Sequence, residues 1–198
     1  MCIRDRGNIV TQIRRIIRNE VNFDRLDYLN DLSRYVCKEK PSLERLKEKY
    51  DYVMNRKELP VWIEYAGALL IAASFTVFFG GNMKDALAAA VLGFVITVAL
   101  RFLGRFEENQ LAKVFITSLA AGFAAIVAVR LGLGTNIDKI MIGGIMLLIP
   151  GIAMTNSLRD MLTGDIATGM LRLANSLLVA AAIACGFAIP LLLAGGSI

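Results

Sequence analysis

Beyond Leu59-Pro60 the chain sheds most of its charge and runs through five apolar stretches, and this constrains its fold more than any motif. The stretches cover about residues 61–79, 86–103, 111–129, 137–154 and 173–194. Each approaches or reaches the roughly 20 apolar residues that cross a bilayer as a helix. Residues 1–60 hold 14 of the 22 Lys/Arg and 10 of the 17 Asp/Glu, leaving 8 and 7 for residues 61–198. With 56% hydrophobic residues and a mean hydropathy of +0.57, the chain is too apolar for an ordinary soluble domain. The expected fold is all-α: a polytopic membrane bundle of five transmembrane helices (60–198) behind a cytoplasmic helical segment (1–59).

Within that first segment, Val21, Leu26, Leu29, Leu32 and Val36 recur at helical steps, predicting an amphipathic helix from Thr11 to about Val36. Pro41 ends it, and Ser42 is a suitable N-cap for a second helix over 43–56. Leu43, Leu46, Tyr50 and Val53 share one face of that helix. The pair is read as packing against the membrane bundle. The opening residues MCIRDR look like an adapter remnant, so the native protein is expected to begin further upstream.

Charge sets the orientation. Arg101, Arg105 and Lys113 flank the second connection between spans, and Arg159 and Arg172 the fourth. Lys and Arg concentrate on the cytoplasmic side, which places the N-terminus there and, with five spans, the C-terminus outside. Opposed termini suggest half of a larger unit. Trp62 and Tyr65 open the first span at headgroup level. The net charge of +5 belongs to this membrane pattern and does not argue for nucleic acid. Ser118-x3-Gly122, Ala121-x3-Ala125 and Ala182-x3-Gly186 are spaced for close helix packing.

Several chemistries are excluded or unsupported. No histidine is present, which removes a histidine base, proton relay or Cys/His zinc site. Cys2, Cys37 and Cys185 lack metal or disulfide spacing and read as free thiols. There is no P-loop and no nucleophile elbow, and Gly132-Leu133-Gly134 reads as a short connection. No metal, cofactor or catalytic set is expected, and the chain does not read as an enzyme.

The segment from Pro150 to Arg172 carries the polar residues of interest. Pro150 lacks an N–H and Gly151 relaxes the backbone, so the fourth span is expected to break there, with Gly164 and Gly169 adding flexibility. Asn156 and Asp160 fall four apart, and Asp165 and Arg172 seven apart, spacings that align on a helix. Broken helices beside polar residues are a recurring way to build transport sites. The competing reading is a solvated loop whose charges obey topology. Glu64, about one turn into the first span, either pairs near the surface or joins a proton path.

The order Pro150-Gly151, Arg159-Asp160, Gly164-Asp165, Gly169 and Arg172, followed by an alanine-rich final span, resembles the signature of the threonine/serine exporter family. Split relatives of that family are proposed to export succinate. Asn22, Leu26 and Asn30 also match the family's cytoplasmic helix in spacing. The resemblance runs over about residues 9–194; it lacks the glycine- and arginine-containing opening segment and the second membrane half of fused members. It implies proton-driven export of a small carboxylate metabolite, with a smaller multi-span membrane partner completing the transporter. On that reading Arg159 or Arg172 binds the substrate carboxylate, with Asn156 as a further substrate-binding candidate, and Asp165, Asp160 and Glu64 are the proton-coupling candidates. The alternatives are a salt-bridged staple with no transport role, and a non-transporting scaffold or regulatory subunit.

Overall fold

A computed structural model describes residues 2–5, 8–11, 22–56, 60–106 and 109–194. The chain divides into two compact units, Met1–Glu58 and Leu59–Ile198.

In the first unit, β1 (Cys2–Asp5) and β2 (Asn8–Thr11) pair antiparallel with Cys2 opposite Thr11. Thr11 therefore ends a strand, and residues 12–21 of the expected helix lie outside the described residues. Helix α1 (Phe23–Glu39) starts at Asn22, whose side chain accepts from the Arg25 N–H at 3.0 Å. It stops where Lys40 turns left-handed, just ahead of Pro41. Helix α2 (Leu43–Met54) has Ser42 at its N-cap position, but the hydroxyl makes no capping bond. Across the pair, Arg56 meets Asp24 at 3.3 Å and covers the Tyr28 ring, while Lys49 covers Tyr35. Of the expected apolar face of α2, only Val53 is buried within the unit.

The second unit is a helix bundle: α3 (Val61–Phe78), α4 (Met83–Leu103), α5 (Gln110–Arg130), α6 (Ile137–Leu148), α7 (Gly151–Leu162) and α8 (Ile166–Leu193). Four of these are long and apolar enough to cross a membrane, and α6 with α7, bent by 56° at their break, passes the same test only as a pair, with the geometry of a broken span or a re-entrant loop. At 1.5 Å per residue, α6 and α7 are each only about 18 Å long, so neither alone crosses a hydrocarbon core of about 30 Å. Helix α8 reaches about 42 Å by the same rise and overshoots it. The competing loop reading of residues 150–172 does not hold, because α7 and the first turns of α8 are helical through most of the segment. Helix α8 begins at Ile166, seven residues ahead of the apolar stretch read from the sequence.

Packing follows residue size. The centre of the bundle is built from Ala72, Ala88, Ala89, Ala121 and Ala125, with Leu92, Ile96, Ile140 and Phe187 filling between them. Large apolar side chains such as Leu70, Phe78, Leu87 and Leu192 point outward. A bilayer gives no hydrophobic incentive to hide them, so close backbone approach at small residues holds the helices together. The small-residue spacings read from the sequence act this way. A Cβ on Gly122 would fall 2.8 Å from Pro190 of α8, and one on Gly186 would fall 2.9 Å from the Phe115 carbonyl of α5. Helix α3 packs on α4 and α6, α4 on α5 and α6, and α5 on α6 and α8. Helix α7 meets α8 alone among the described elements.

Candidate functional site

The break between α6 and α7 is local and has a simple cause. Pro150 has no N–H to return to the α6 ladder, which ends with Ile149 donating to Ile145 at 3.1 Å. Ile149 is extended, the Gly151 N–H turns back to the Ile149 carbonyl at 2.9 Å, and Met154 starts the new ladder on Pro150. Gly151 has open space around its missing Cβ and takes the first position of α7.

Along α7, Asn156 and Arg159 are exposed, while Ser157 is fully buried against α8. Ser157 donates to the Met154 carbonyl at 2.6 Å, so its hydroxyl is spent within the helix. Asp160 accepts from Nη1 of Arg172 on α8 at 2.7 Å. Arg159 forms no ion pair among the described residues. The two arginines of the cluster thus have different surroundings, one clasped and one open.

The turn into α8 is a helix stop in which Gly164 is left-handed, with φ of +97°. The Asp165 N–H reaches the Asp160 carbonyl at 2.9 Å and the Gly164 N–H reaches Met161 at 3.2 Å, the paired bonds of a Schellman ending. Asp165 then caps α8 by accepting from the Thr168 N–H at 3.4 Å. Arg172 pairs with Asp160 across this turn; the seven-residue alignment with Asp165 is not what the fold uses. Gly169 is a contact glycine rather than a flexible joint: a Cβ there would fall 2.8 Å from the Ser157 carbonyl and 3.0 Å from the Met161 nitrogen. Its absence lets α7 lie directly on α8.

Glu64 stands apart from this cluster. It accepts from Nη2 and Nε of Arg101 at 2.8 and 3.2 Å, linking α3 to α4, and both side chains are about half exposed. Neither α3 nor α4 approaches α7. Arg101, read from the sequence only as a topology marker, is therefore also the partner of Glu64.

One buried charge escaped the sequence reading. Asp85, in the first turn of α4, is 0% exposed and accepts five hydrogen bonds. Its Oδ1 takes the Thr135 N–H at 2.6 Å, the Thr135 hydroxyl at 3.1 Å and the Asn136 N–H at 3.0 Å. Its Oδ2 takes the Asn82 N–H at 2.9 Å and the Asn136 amide at 2.8 Å. The signal was present as Asn82-x-x-Asp85, a capping-box spacing at the start of α4. Its donors on the α5–α6 connection come from about fifty positions later. Among the described residues no three acids or cysteines are grouped to hold a metal ion.

Comparison with known proteins adds the following. The family model described as "Putative threonine/serine exporter" matches residues 1–194. A protein of Mycobacterium tuberculosis named "Probable threonine/serine exporter" is 28% identical over 92% of this chain and 34% of its own length. The "Threonine/serine exporter" of Corynebacterium glutamicum is 30% identical over 61% of this chain and 25% of its own length. The chain thus spans about a third or less of the curated relatives it matches. No solved structure matches it.

Proposed function

The chain belongs to the threonine/serine exporter family, and from that premise we propose that it is the membrane component of an exporter for a small carboxylate metabolite: threonine, serine or succinate. Transport is driven by the proton gradient and completed by a second, smaller membrane subunit. The protein lies in the bacterial inner membrane with its N-terminus cytoplasmic and its C-terminus outside, as the Lys/Arg bias of the connections supports.

The observation that carries this reading is the broken span α6–α7, which puts Asn156 and Arg159 on an open helix face beside a clasped acid–base pair. Arg159 receives the substrate carboxylate, since a guanidinium offers paired donors to two carboxylate oxygens, and Asn156 adds an amide one turn away. Arg172 is held by Asp160 and joins only when that pair opens. Asp160, once released, or Asp165 takes up the returning proton. Glu64 is bound to Arg101 on a different helix pair and has no place in this scheme.

Efflux of labelled threonine, serine and succinate from cells with and without the protein tests the reading and chooses among the three. Arg159→Gln and Asp165→Asn, each confirmed as membrane-inserted, are expected to lower efflux strongly. Unchanged efflux in both would overturn the assigned site.

A further inference from the structure

The two halves of the broken span are held very differently. Helix α6 is fixed along its length. Its N-cap Asn136 is bound to Asp85 through both backbone and side chain, and Thr76 of α3 donates to the Lys139 carbonyl at 3.3 Å. Gly143 lies against the backbone of Ala72, and a Cβ on Gly144 would fall 2.7 Å from Leu92. Helix α7, by contrast, buries only Ser157 and, among the described elements, touches only α8. Between the halves stands a junction with an extended Ile149 and a proline that breaks the ladder.

We propose that α3–α6 form a fixed frame, that α7 forms an arm lying on the first turns of α8 and changing its angle at residues 149–151 and at the left-handed Gly164 turn, and that Asp85 is the positioning residue keeping α6 in the frame. The inference rests on the export reading for its purpose, since the arm carries Arg159 and Asn156. Its mechanics rest on packing alone. A hinge moves a load only if one side is anchored, and Asp85 ties the start of α6 to the start of α4 through one carboxylate. A neutral amide does not reproduce it there. An amide at position 85 would turn its NH2 toward either the Asn82 N–H or the N–H groups of Thr135 and Asn136. Flipping the Asn136 amide relieves one clash and leaves the backbone one. That donor is part-buried, and leaving it without an acceptor weakens the tie between α4 and α6.

The test uses spin-label distances on the full chain in lipid vesicles, with Cys2, Cys37 and Cys185 changed to serine. Labels at exposed Leu87 of α4 and Asp138 of α6 report the frame, and labels at exposed Leu162 of α7 and Phe102 of α4 report the arm. The parent is expected to give one narrow frame distance and a broad or two-peaked arm distance. Asp85→Asn is expected to broaden the frame distance. It is also expected to lower the maximal efflux rate per inserted molecule about tenfold, with little change in half-saturating substrate. Because Asp85→Asn can also impair folding, Asn136→Ala is measured beside it; it removes one donor and should broaden the frame distance less. A frame distance unchanged in both variants, or an arm as narrow as the frame in the parent, overturns the proposal. A two-state arm in a protein that moves none of the three substrates would leave the hinge standing and sink the export reading instead.

Discussion

Arg172 donates to Asp160 at 2.7 Å across the α7–α8 turn, and its counterpart Arg159, on the same turn of α7 as that aspartate, is left open. Adjacent positions in sequence thereby acquire separate tasks. One holds the helical hairpin together and the other faces whatever approaches it.

Breaking the clasp is expected to weaken the hairpin modestly. Arg172 and Asp160 side chains are 55% and 28% exposed, which limits the pair to about 0.2–1 kcal/mol. Asp160→Asn and Arg172→Gln should each lower the detergent melting temperature slightly. The exchanged pair Asp160→Arg with Arg172→Asp should recover that loss. If the exchanged protein melts normally yet exports nothing, the charges act in transport beyond holding the turn.

Arg159→Gln should leave melting unchanged, because no described acid depends on it. Efflux at low substrate is expected to fall at least about tenfold, and Arg159→Lys to recover only part, since an ammonium lacks the planar fork. Initial rates across substrate concentrations check this.

Three glycines of the segment should respond in three ways. Gly169→Ala drives a methyl into the Ser157 carbonyl and the Met161 nitrogen, forcing α7 off α8 at about 1–3 kcal/mol. Gly164→Ala puts a side chain at φ +97° and should cost about 1–2 kcal/mol. Gly151→Ala meets nothing within 4 Å and should be neutral or slightly stabilising. Thermal melts of the three variants should rank them in that way.

Glu64→Gln removes an exposed pair with Arg101 and should change stability by less than about 1 kcal/mol. Efflux and its dependence on the proton gradient are expected to persist. Loss of gradient dependence alone would return Glu64 to the coupling path.

Much of the bundle was legible because lipid imposes a simple code of apolar length, and the break was legible because proline cannot donate. The helical state of residues 166–172 was only partly legible, since the seven-residue alignment of Asp165 with Arg172 stood beside a loop reading. Gly169 looks like a flexible joint until a neighbouring helix is present to need the glycine's flat side, and Arg172 gains its partner only when α7 brings Asp160 to it. Gly164 read as flexibility, whereas its left-handed geometry gives α7 a defined end. Asp85 was harder still. Locally it is one acid in the first turn of a helix, where acids are common. Its importance comes from Thr135 and Asn136, which only the fold brings to it.

The alanine interior has a consequence for how this protein tolerates change over evolutionary time. In a soluble domain the centre is threatened mainly by loss of bulk. Here Ala72, Ala89, Ala121 and Ala125 are all 0% exposed, so the threat is growth: one added methyl separates two helices. Variation should accumulate on the lipid-facing rim, where leucine, isoleucine, valine and phenylalanine exchange freely, while the centre drifts only among the smallest residues. Lineages would then diverge from the outside inward, keeping their helix crossings long after their surfaces have ceased to resemble one another.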